Sequence, residues 1–299
     1  MNANDKLTSL VSGLSSAMDV VPTDAQPLME TLAGMEGVIF DVYGTMLLSG
    51  SGEVGTAKLL DHASAMTDSL RAVGLRGVSD ECGHVGGEAL KEAIVACHAG
   101  KKEEGMAYPE VEIRDVWKDV LRVLRDRCGL EGVLDAQGIE QLAIHYEARV
   151  NPVWPMPGIR EVLPALRAKR MALGIVSNAQ FYTQHLFPAL LGSSLEELGF
   201  DPALCVWSYR VGEAKPSETL FDQLLTGLQR RGGPPPDQCV YVGNDMLNDV
   251  TAASRAGLRT VLFAGDARSL RWRKDDPRCD GISADAVITE WPQLLEILV

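Results

Sequence analysis

The sequence predicts an α/β fold, in which a Rossmann-like doubly wound parallel sheet forms the core and carries a helical cap domain. Three features of the apolar pattern lead to this prediction. A short strand-type run, 38–40, comes first. A long stretch from about 47 to 155 follows, with helical spacing of its apolar residues and no clear strand. Beyond residue 158, strand-type runs alternate with amphipathic helices, which is typical of βαβ units and parallel strands.

The same pattern divides the chain into three parts. Residues 1–36 are predicted to form an N-terminal helical extension. The α/β core is predicted to consist of residues 37–48 and 155–299, and the helical cap of residues 49–154, inserted after the first strand. The clearest helix of the cap is 111–127, whose apolar side chains share one face: Val116, Trp117, Val120, Leu121 and Leu124.

The second half of the chain supplies the remaining elements of the core. Glycine and proline clusters punctuate it, as expected of turns between regular elements. Parallel strands need long crossover connections, so the strands of this half and the run 38–40 are expected in one sheet. The predicted order is helix 159–170, strand 172–176, helix 218–231, strand 239–242, helix 247–256 and strand 260–263.

Composition and charge limit the partners that the protein can have. The 299 residues are 46% apolar, which suffices for a core, and carry a formal net charge of −13. This charge argues against nucleic acid and anionic membrane surfaces as partners, since both are negative. A small anionic substrate is compatible with it, because a local lysine and a helix N-terminus reverse the field inside a pocket.

The cysteines and the N-terminus indicate the compartment. The six cysteines include no CxxC pair, and the first residues have no basic stretch that leads into a sustained apolar run. The first observation gives little support to a structural zinc site, and free thiols are typical of a reducing compartment. We therefore predict a cytoplasmic protein without a targeting peptide or a membrane span, and the sequence leaves monomer or homodimer open.

Polar side chains follow the apolar runs where a parallel sheet binds ligands, at the carboxyl ends of its strands. Asp41 follows the first run, Ser177 and Asn178 follow the second, and Asp245 lies just after the third. Lys215 stands at the start of a predicted helix. Each of these residues alone is more typical of a turn, a helix cap or a solvated surface. Their joint order along the chain predicts one shared site.

In combination, these segments resemble the four motifs of the haloacid dehalogenase-like (HAD) hydrolase superfamily. They are Asp-Val-Tyr-Gly-Thr at 41–45, Ser-Asn at 177–178, Lys-Pro at 215–216 and Val-Gly-Asn-Asp at 242–245. The match covers about 36–46 and 155–265, and it leaves the helical insertion where that superfamily often has its cap domain. The resemblance implies a hydrolase in which an aspartate attacks the substrate and forms a covalent ester.

The resemblance assigns catalytic roles to four residues. Asp41 is implied to be the nucleophile, whose ester splits one difficult displacement into two easier steps. Thr45 and Ser177 would donate hydrogen bonds to the nucleophile or to the substrate anion. Lys215 would neutralise charge between the nucleophile and the substrate.

The resemblance also implies a Mg²⁺ site built from Asp41, the backbone carbonyl of Tyr43, Asp245 and Asp249. Mg²⁺ prefers oxygen ligands. Asp245 and Asp249 are four residues apart, as in the GDxxxD pattern of metal-dependent members, with Asn244 in place of the glycine. Three carboxylates balanced by a single lysine would repel one another, so a divalent cation is favoured.

Tyr43 departs from the pattern of the superfamily's phosphatases, which usually carry a second aspartate at that position. That acid protonates the leaving alkoxide and later activates water, which is worth roughly 10²–10⁴ in rate. A halide leaving group needs no proton, and Asp-x-Tyr-Gly-Thr resembles the 2-haloacid dehalogenase branch. We favour a Mg²⁺-dependent phosphatase of a small phosphorylated metabolite. The alternatives are a metal-independent 2-haloacid dehalogenase and a catalytically weak binding protein on the same scaffold.

Four residues are predicted to contact the substrate. Tyr43 and Asn178 come from the strand ends of the core. Lys101 and Tyr108 lie in an unusual stretch of the predicted cap, 98–110, which combines His, Lys and Tyr side chains that could bind an anionic tail. The alternative for this stretch is a solvated helix end followed by a turn.

Overall fold

The computed structural model of the protein describes residues 3–51 and 62–299. Its centre is a sheet of six strands in the order β5-β4-β1-β6-β7-β8, and all of its strand pairs are parallel. The described strands are β1 Gly37–Phe40, β2 Leu47–Ser49, β3 Val153–Pro155, β4 Ala172–Ser177, β5 Phe200–Trp207, β6 Cys239–Gly243, β7 Arg259–Phe263 and β8 Ala286–Ile288.

Helices flank this sheet, which confirms the predicted fold class. Short turns of 3₁₀ type, Pro236–Gln238 and Pro277–Cys279, and one π-helical turn, Met246–Thr251, complete the regular structure that we describe. The α-helices are α1 Ala3–Leu14, α2 His62–Ala72, α3 Asp80–Glu103, α4 Ile113–Cys128, α5 Ala136–Val150, α6 Ile159–Ala168, α7 Thr183–Leu191, α8 Leu195–Leu198, α9 Ser208–Val211, α10 Glu218–Arg231, α11 Ala252–Arg255 and α12 Pro292–Ile297. None of the helices in the described ranges is both long and apolar enough to cross a bilayer.

The four predicted strands are confirmed, and the sheet has two further strands that the pattern did not predict. β5 begins with Phe200, Asp201 and Pro202, and the last two residue types are unfavourable in strands. Because β5 lies at an edge of the sheet, its proline removes no ladder hydrogen bond that a central strand would need. β8 at the opposite edge has only three residues, which is too short for an alternating pattern.

The prediction of a helix over residues 1–36 is wrong beyond Leu14. α1 ends there, and the chain continues without regular structure towards β1. Pro22 and Pro27 lack the backbone N–H that a helix interior requires. The backbone instead bonds to the core, where Leu28 and Val287 exchange N–H···O contacts at 2.8 and 3.0 Å. This segment therefore covers the β8 edge of the sheet.

Four helices of the described chain, α2 to α5, lie between β2 and β3 and are called the helical insertion below. β2 and β3 pair with each other antiparallel, so the stretch predicted to have no strand carries a two-stranded ribbon at its base. Three residues per strand and a proline at one end explain why the pattern did not reveal it. The predicted apolar face of α4 is confirmed, since its five side chains are buried: Val116, Trp117, Val120, Leu121 and Leu124.

Aromatic packing beneath β1 fixes the strand that leads to Asp41. Phe40 is fully buried, and its ring lies 5.9 Å from that of Phe200 and 5.6 Å from that of Trp291. Phe263 stacks on Trp291 at 4.8 Å. Aromatic pairs at these distances stabilise a core beyond the area that they bury. This packing therefore holds the carboxyl end of β1 rigidly, just before Asp41.

Candidate active site

A cavity of about 230 Å³ opens at the carboxyl ends of the central strands. It is smaller than the ~300–1,000 Å³ of pockets for drug-sized ligands. The described residues that line it all have polar side chains and include members of each of the four sequence motifs: Asp41, Tyr43, Ser49, Asn178, Lys215, Asn244, Asp245, Asn248, Asp249, Ser269 and Arg271.

The Asp41 carboxylate is held by the three other residues predicted to be catalytic. Its Oδ1 accepts hydrogen bonds from Lys215 Nζ at 2.8 Å and from Ser177 Oγ at 3.0 Å. Its Oδ2 accepts a longer bond, 3.3 Å, from Thr45 Oγ1. Asp41 is 5% exposed. The structure thus brings together all four predicted catalytic side chains, with Oδ2 the less tightly held oxygen.

Lys215 connects two buried carboxylates. Its Nζ donates to Asp249 Oδ1 at 2.5 Å as well as to Asp41, and it lies 3.0 Å from the hydroxyl of Tyr241. Burial alone lowers the pKa of a lysine, but the charges of Asp249 and Asp41 outweigh burial and raise the pKa of Lys215. Burial, together with the neighbouring carboxylates of Asp41 and Asp245, raises the pKa of Asp249 to about 6, although Lys215 opposes this shift.

Asn178 and Gly44 shape the backbone around these charges. Asn178 Oδ1 accepts the backbone N–H of Lys215 at 2.7 Å. This residue was predicted to contact substrate. It lines the cavity, but its carbonyl oxygen holds the lysine loop. Gly44 has φ +77°, and a Cβ at this position would collide with Ser269 and with the Asn244 amide. The turn after Asp41 therefore requires glycine.

The hydroxyl of Tyr43 contacts a threonine and is a poor proton donor. The phenol oxygen lies 2.8 Å from Thr183 Oγ1, and burial, together with the charge of Glu147, raises the pKa of Tyr43. A phenol whose pKa is raised stays protonated at neutral pH and is a weak acid. Tyr43 lines the cavity as predicted, but its ring does not replace the carboxyl group that is usual at this position.

The predicted metal ligands Asp245 and Asp249 both make hydrogen bonds and ion pairs within the protein. Asp249 Oδ1 accepts from Lys215 and Tyr241, and its Oδ2 accepts the backbone N–H of Asp245 at 2.9 Å. Both oxygens of Asp249 thus already accept hydrogen bonds from the protein, and one of them lies against the ammonium of Lys215. Asp245 caps the π-helical turn by accepting the N–H of Leu247 at 2.8 Å, and it forms an ion pair with Arg273. The predicted helix 247–256 is likewise divided into this turn and α11.

Asn244 is a site residue that the motif assignment missed. Its Oδ1 lies 3.4 Å from Thr45 Oγ1, the same hydroxyl that bonds Asp41, and its Nδ2 donates to the backbone oxygen of Ser269 at 2.6 Å. The signal was present in the sequence, since Asn244 follows β6 directly, as Asp41 follows β1. Over residues 3–51 and 62–299, no three His, Cys, Asp or Glu side chains are grouped to hold a metal ion. Any cation here would also need amide or backbone oxygens.

Lys101 and Tyr108, predicted to bind substrate, are not among the described residues that line the cavity. Lys101 Nζ donates to the backbone oxygen of Glu110 at 2.5 Å. The backbone oxygen of Tyr108 accepts the N–H of Ala214 at 2.8 Å. This part of the insertion therefore packs on the loop that precedes Lys215, and the structure does not bring either residue to the cavity that contains Asp41.

Glu110 joins the helical insertion to the catalytic loops. Its Oε2 accepts the hydroxyl of Ser208 at 2.8 Å, and Gln180, three residues after Ser177, donates to the backbone oxygen of Val111 at 2.9 Å. Burial raises the pKa of Glu110. This role could not be predicted from the sequence, because an isolated acidic residue in a loop is usually solvated.

The sheet is parallel, has a buried aspartate–lysine pair at its carboxyl edge, and carries helices inserted after its first strand. These features together are typical of a class of hydrolases with an aspartate nucleophile. The sequence model of the haloacid dehalogenase-like hydrolase family matches residues 35–257. The chain therefore belongs to the haloacid dehalogenase-like hydrolase family.

Three curated relatives are similar to part of the chain. Glyceraldehyde 3-phosphate phosphatase of Methanothermobacter thermautotrophicus is 30% identical over 48% of this chain and 58% of its own length. Haloacid dehalogenase-like hydrolase domain-containing protein 3 of Xenopus laevis is 29% identical over 50% and 57%. Ribulose-1,5-bisphosphate 5-phosphatase of Halopiger xanaduensis is 25% identical over 52% and 61%. The matches span less than two thirds of each of these relatives.

Solved structures show the same fold. A 2-haloacid dehalogenase from Pseudomonas syringae pv. Tomato is 22% identical, with a TM-score of 0.54 over 88% of this chain and 97% of that one. A HAD phosphatase from Thermococcus onnurineus is 20% identical, with a TM-score of 0.50 over the same shares. At these identities the likeness supports the architecture and leaves the substrate undefined.

Proposed function

We propose that the protein is a Mg²⁺-dependent phosphatase that acts on a small phosphorylated metabolite, with Asp41 as the nucleophile. The observation that carries this proposal is the Asp41 carboxylate, fixed by Lys215, Ser177 and Thr45 beside a small polar cavity. Several relatives are named as phosphatases of sugar phosphates, which supports a phosphate ester rather than a haloacid as the substrate.

In the proposed reaction, Asp41 Oδ2 attacks phosphorus, and the bond from phosphorus to the substrate's ester oxygen breaks. An aspartyl phosphate forms, and the alcohol leaves as an alkoxide that takes a proton from water. Water then cleaves the new phosphorus–oxygen bond, which returns free Asp41 and inorganic phosphate. Lys215, Ser177 and Thr45 would hold the transferred group, since preorganised donors stabilise charge that develops in a transition state.

The proposed Mg²⁺ would be held by the Asp41 carboxylate, Asn244 Oδ1 and the backbone carbonyl of Tyr43, with water and substrate phosphate completing its shell. This set omits Asp249, because both of its oxygens already accept hydrogen bonds from the protein. Protein sites for Mg²⁺ commonly use one or two carboxylates together with substrate phosphate, so the donors present fit it. When bound, the ion would offset the negative charge of the phosphoryl group.

We further propose the division of the chain into a core of residues 37–48 and 155–299 and a cap of residues 49–154. The contacts of Glu110 with Ser208 support a cap that closes over the cavity and excludes water. Six free cysteines are compatible with the proposed cytoplasmic location.

The experiment that tests the function measures phosphate release from p-nitrophenyl phosphate and from small sugar phosphates, with Mg²⁺ and with EDTA. We expect turnover with Mg²⁺, loss of turnover with EDTA, and an inactive D41N variant. Asp115→Asn is the matched control, because that aspartate lies in an exposed ion pair with Lys118. Turnover that persists in EDTA would contradict the metal assignment, and turnover in D41N would contradict the nucleophile.

A metal-independent 2-haloacid dehalogenase is the second candidate, and Tyr43 is the observation that favours it. Its hydroxyl is bonded to Thr183, and no carboxyl stands at that position. Halide release from 2-chloropropionate, measured beside the phosphatase assay, separates the two chemistries. Halide release without phosphate release would favour the dehalogenase.

A further inference from the structure

Residues 269–273, called the strap below, lie across the turn that follows β6. Arg271 N donates to the backbone oxygen of Asn244 at 2.9 Å, and Met246 N donates to the backbone oxygen of Arg271 at 2.9 Å. Both contacts are between backbone atoms, so they do not depend on the side chains of the strap. They hold Arg271, which lines the catalytic cavity, and Arg273 follows two residues later beside Asp245.

Arg273 makes a forked ion pair with Asp245. Its Nη2 lies 2.6 Å from Asp245 Oδ2, and its Nε lies 3.2 Å from each carboxylate oxygen. The side chain of Asp245 is 8% exposed. Planar guanidinium–carboxylate contacts of this kind are both strong and directional. Arg273 also has φ +49°, a left-handed conformation that residues with a Cβ adopt only where their surroundings hold them.

The chain itself therefore neutralises one of the three carboxylates that the described residues contribute to the cavity. The second, Asp249, is neutralised by Lys215, which leaves Asp41 to share that lysine. In the sequence, a single lysine opposing three acids favoured a cation, and Arg273 changes that charge balance. A divalent ion could use Asp245 only by displacing the guanidinium or by lying next to its positive charge.

We propose that Arg273 is the resident counter-ion of Asp245 and withholds this carboxylate from the divalent cation. The inference rests on the proposed cation site of Asp41 and Asn244, whose affinity it limits. Arg273 is thus a positioning residue that acts through Asp245, and its removal adds a second carboxylate to the site.

The test is Mn²⁺ binding to the full-length protein without substrate, followed by the electron paramagnetic resonance signal of free Mn²⁺. We expect R273Q to bind Mn²⁺ about tenfold more tightly than wild type, because affinity rises with the number of charged ligands. The R273Q/D245N double variant should return to the wild-type Kd. The matched control is R278Q, since Arg278 makes a similar 2.6 Å contact with Asp276 away from the cavity.

D245N alone gives an independent check, because asparagine is as good a helix cap as aspartate and should preserve the fold. We expect it to bind Mn²⁺ no more tightly than wild type, because Arg273 stays in place and loses its counter-charge. An unchanged Kd in R273Q, or an R273Q/D245N double variant that binds as tightly as R273Q, would overturn the proposal. If wild type is a Mg²⁺-dependent phosphatase but R273Q does not bind Mn²⁺ more tightly, only this inference is refuted. If R273Q binds Mn²⁺ more tightly but wild type has no phosphatase activity, only the proposed function is refuted.

Discussion

The carboxyl edge of the sheet and the helical insertion use charged side chains in different ways. At the sheet edge, Asp41, Lys215 and Asp249 are buried and bond to one another beside a cavity. In the insertion, Lys101 and Glu110 bond to backbone atoms or to the loops of the core. Burying ions costs solvation free energy that apolar packing would avoid, so charges kept next to a cavity indicate chemistry. In the insertion, these two charged side chains hold the segment that docks on the core.

The largest expected effect comes from Lys215→Met. Loss of this ammonium leaves Asp41 and Asp249 buried without a counter-ion, which costs roughly 3–5 kcal/mol of unfolding free energy. It also removes a donor to the transferred group, so we expect kcat to fall about 10²–10³-fold. Steady-state kinetics and urea unfolding measure the two effects.

The control for Lys215→Met is Lys118→Met, because Lys118 pairs with Asp115 on the exposed surface. Exposed ion pairs contribute little, so this change should cost under about 1 kcal/mol and leave kcat unaltered. Equal losses in the two variants would contradict the distinction between the two regions.

Tyr43→Asp is expected to raise activity. It supplies a carboxyl that can protonate a leaving alkoxide, so turnover of alkyl phosphates should increase about tenfold or more. Turnover of p-nitrophenyl phosphate should increase less, because nitrophenolate leaves without a proton. The control is Tyr43→Phe, which removes only the contact with Thr183 and costs about 1 kcal/mol. Equal gains on both substrates would contradict the proton-donor explanation.

Glu110→Ala tests the docking of the insertion on the core. The change leaves the hydroxyl of Ser208 and the amide of Gln180 with fewer partners, which should cost about 1–3 kcal/mol. We expect thermal unfolding at a lower temperature and a severalfold lower kcat, because the docked segment contacts the loop before Lys215. Glu131→Ala, at an exposed pair with Arg76, should change neither. A Glu110→Ala variant that matches this control would show that docking does not depend on the carboxylate.

Lys101→Met should have the smallest effect on catalysis. Lys101 bonds to the backbone of Glu110 and lies outside the described lining of the cavity, so KM should stay within about twofold of wild type. The KM for p-nitrophenyl phosphate checks this. A tenfold rise in KM would restore the substrate-binding role that the sequence suggested for Lys101.

The sheet and the groups around Asp41 were predictable because strand ends are fixed by the pattern of apolar residues. Asp41 and Ser177 directly follow such runs, and parallel strands place their carboxyl ends together. The edge strand β5 was not predictable, because Asp201 and Pro202 obscure its start. Its neighbour β4 supplies the pairing that overrides these local preferences.

The partners of Asp245 and Glu110 could not be predicted for a different reason. Their contacts join residues 28 and 98 positions apart in the chain, and neither contact leaves a periodic trace in the sequence. Asn244 was not predicted as a cation ligand because the carboxylates of the two aspartates near it carry charge and are the stronger oxygen ligands. The residue types alone do not show which of these side chains faces Asp41, because neighbouring residues of an extended chain point in opposite directions.

The covalent intermediate on Asp41 tests the central claim most directly. A phosphorylated substrate can be mixed with excess enzyme, quenched in acid within one turnover, digested and analysed by mass spectrometry. We predict one phosphoryl group on the peptide that contains Asp41, with its loss in hydroxylamine and its absence from D41N. A turnover that leaves this peptide unmodified, or that places the phosphoryl group on another residue, would contradict the assignment of Asp41 as the nucleophile.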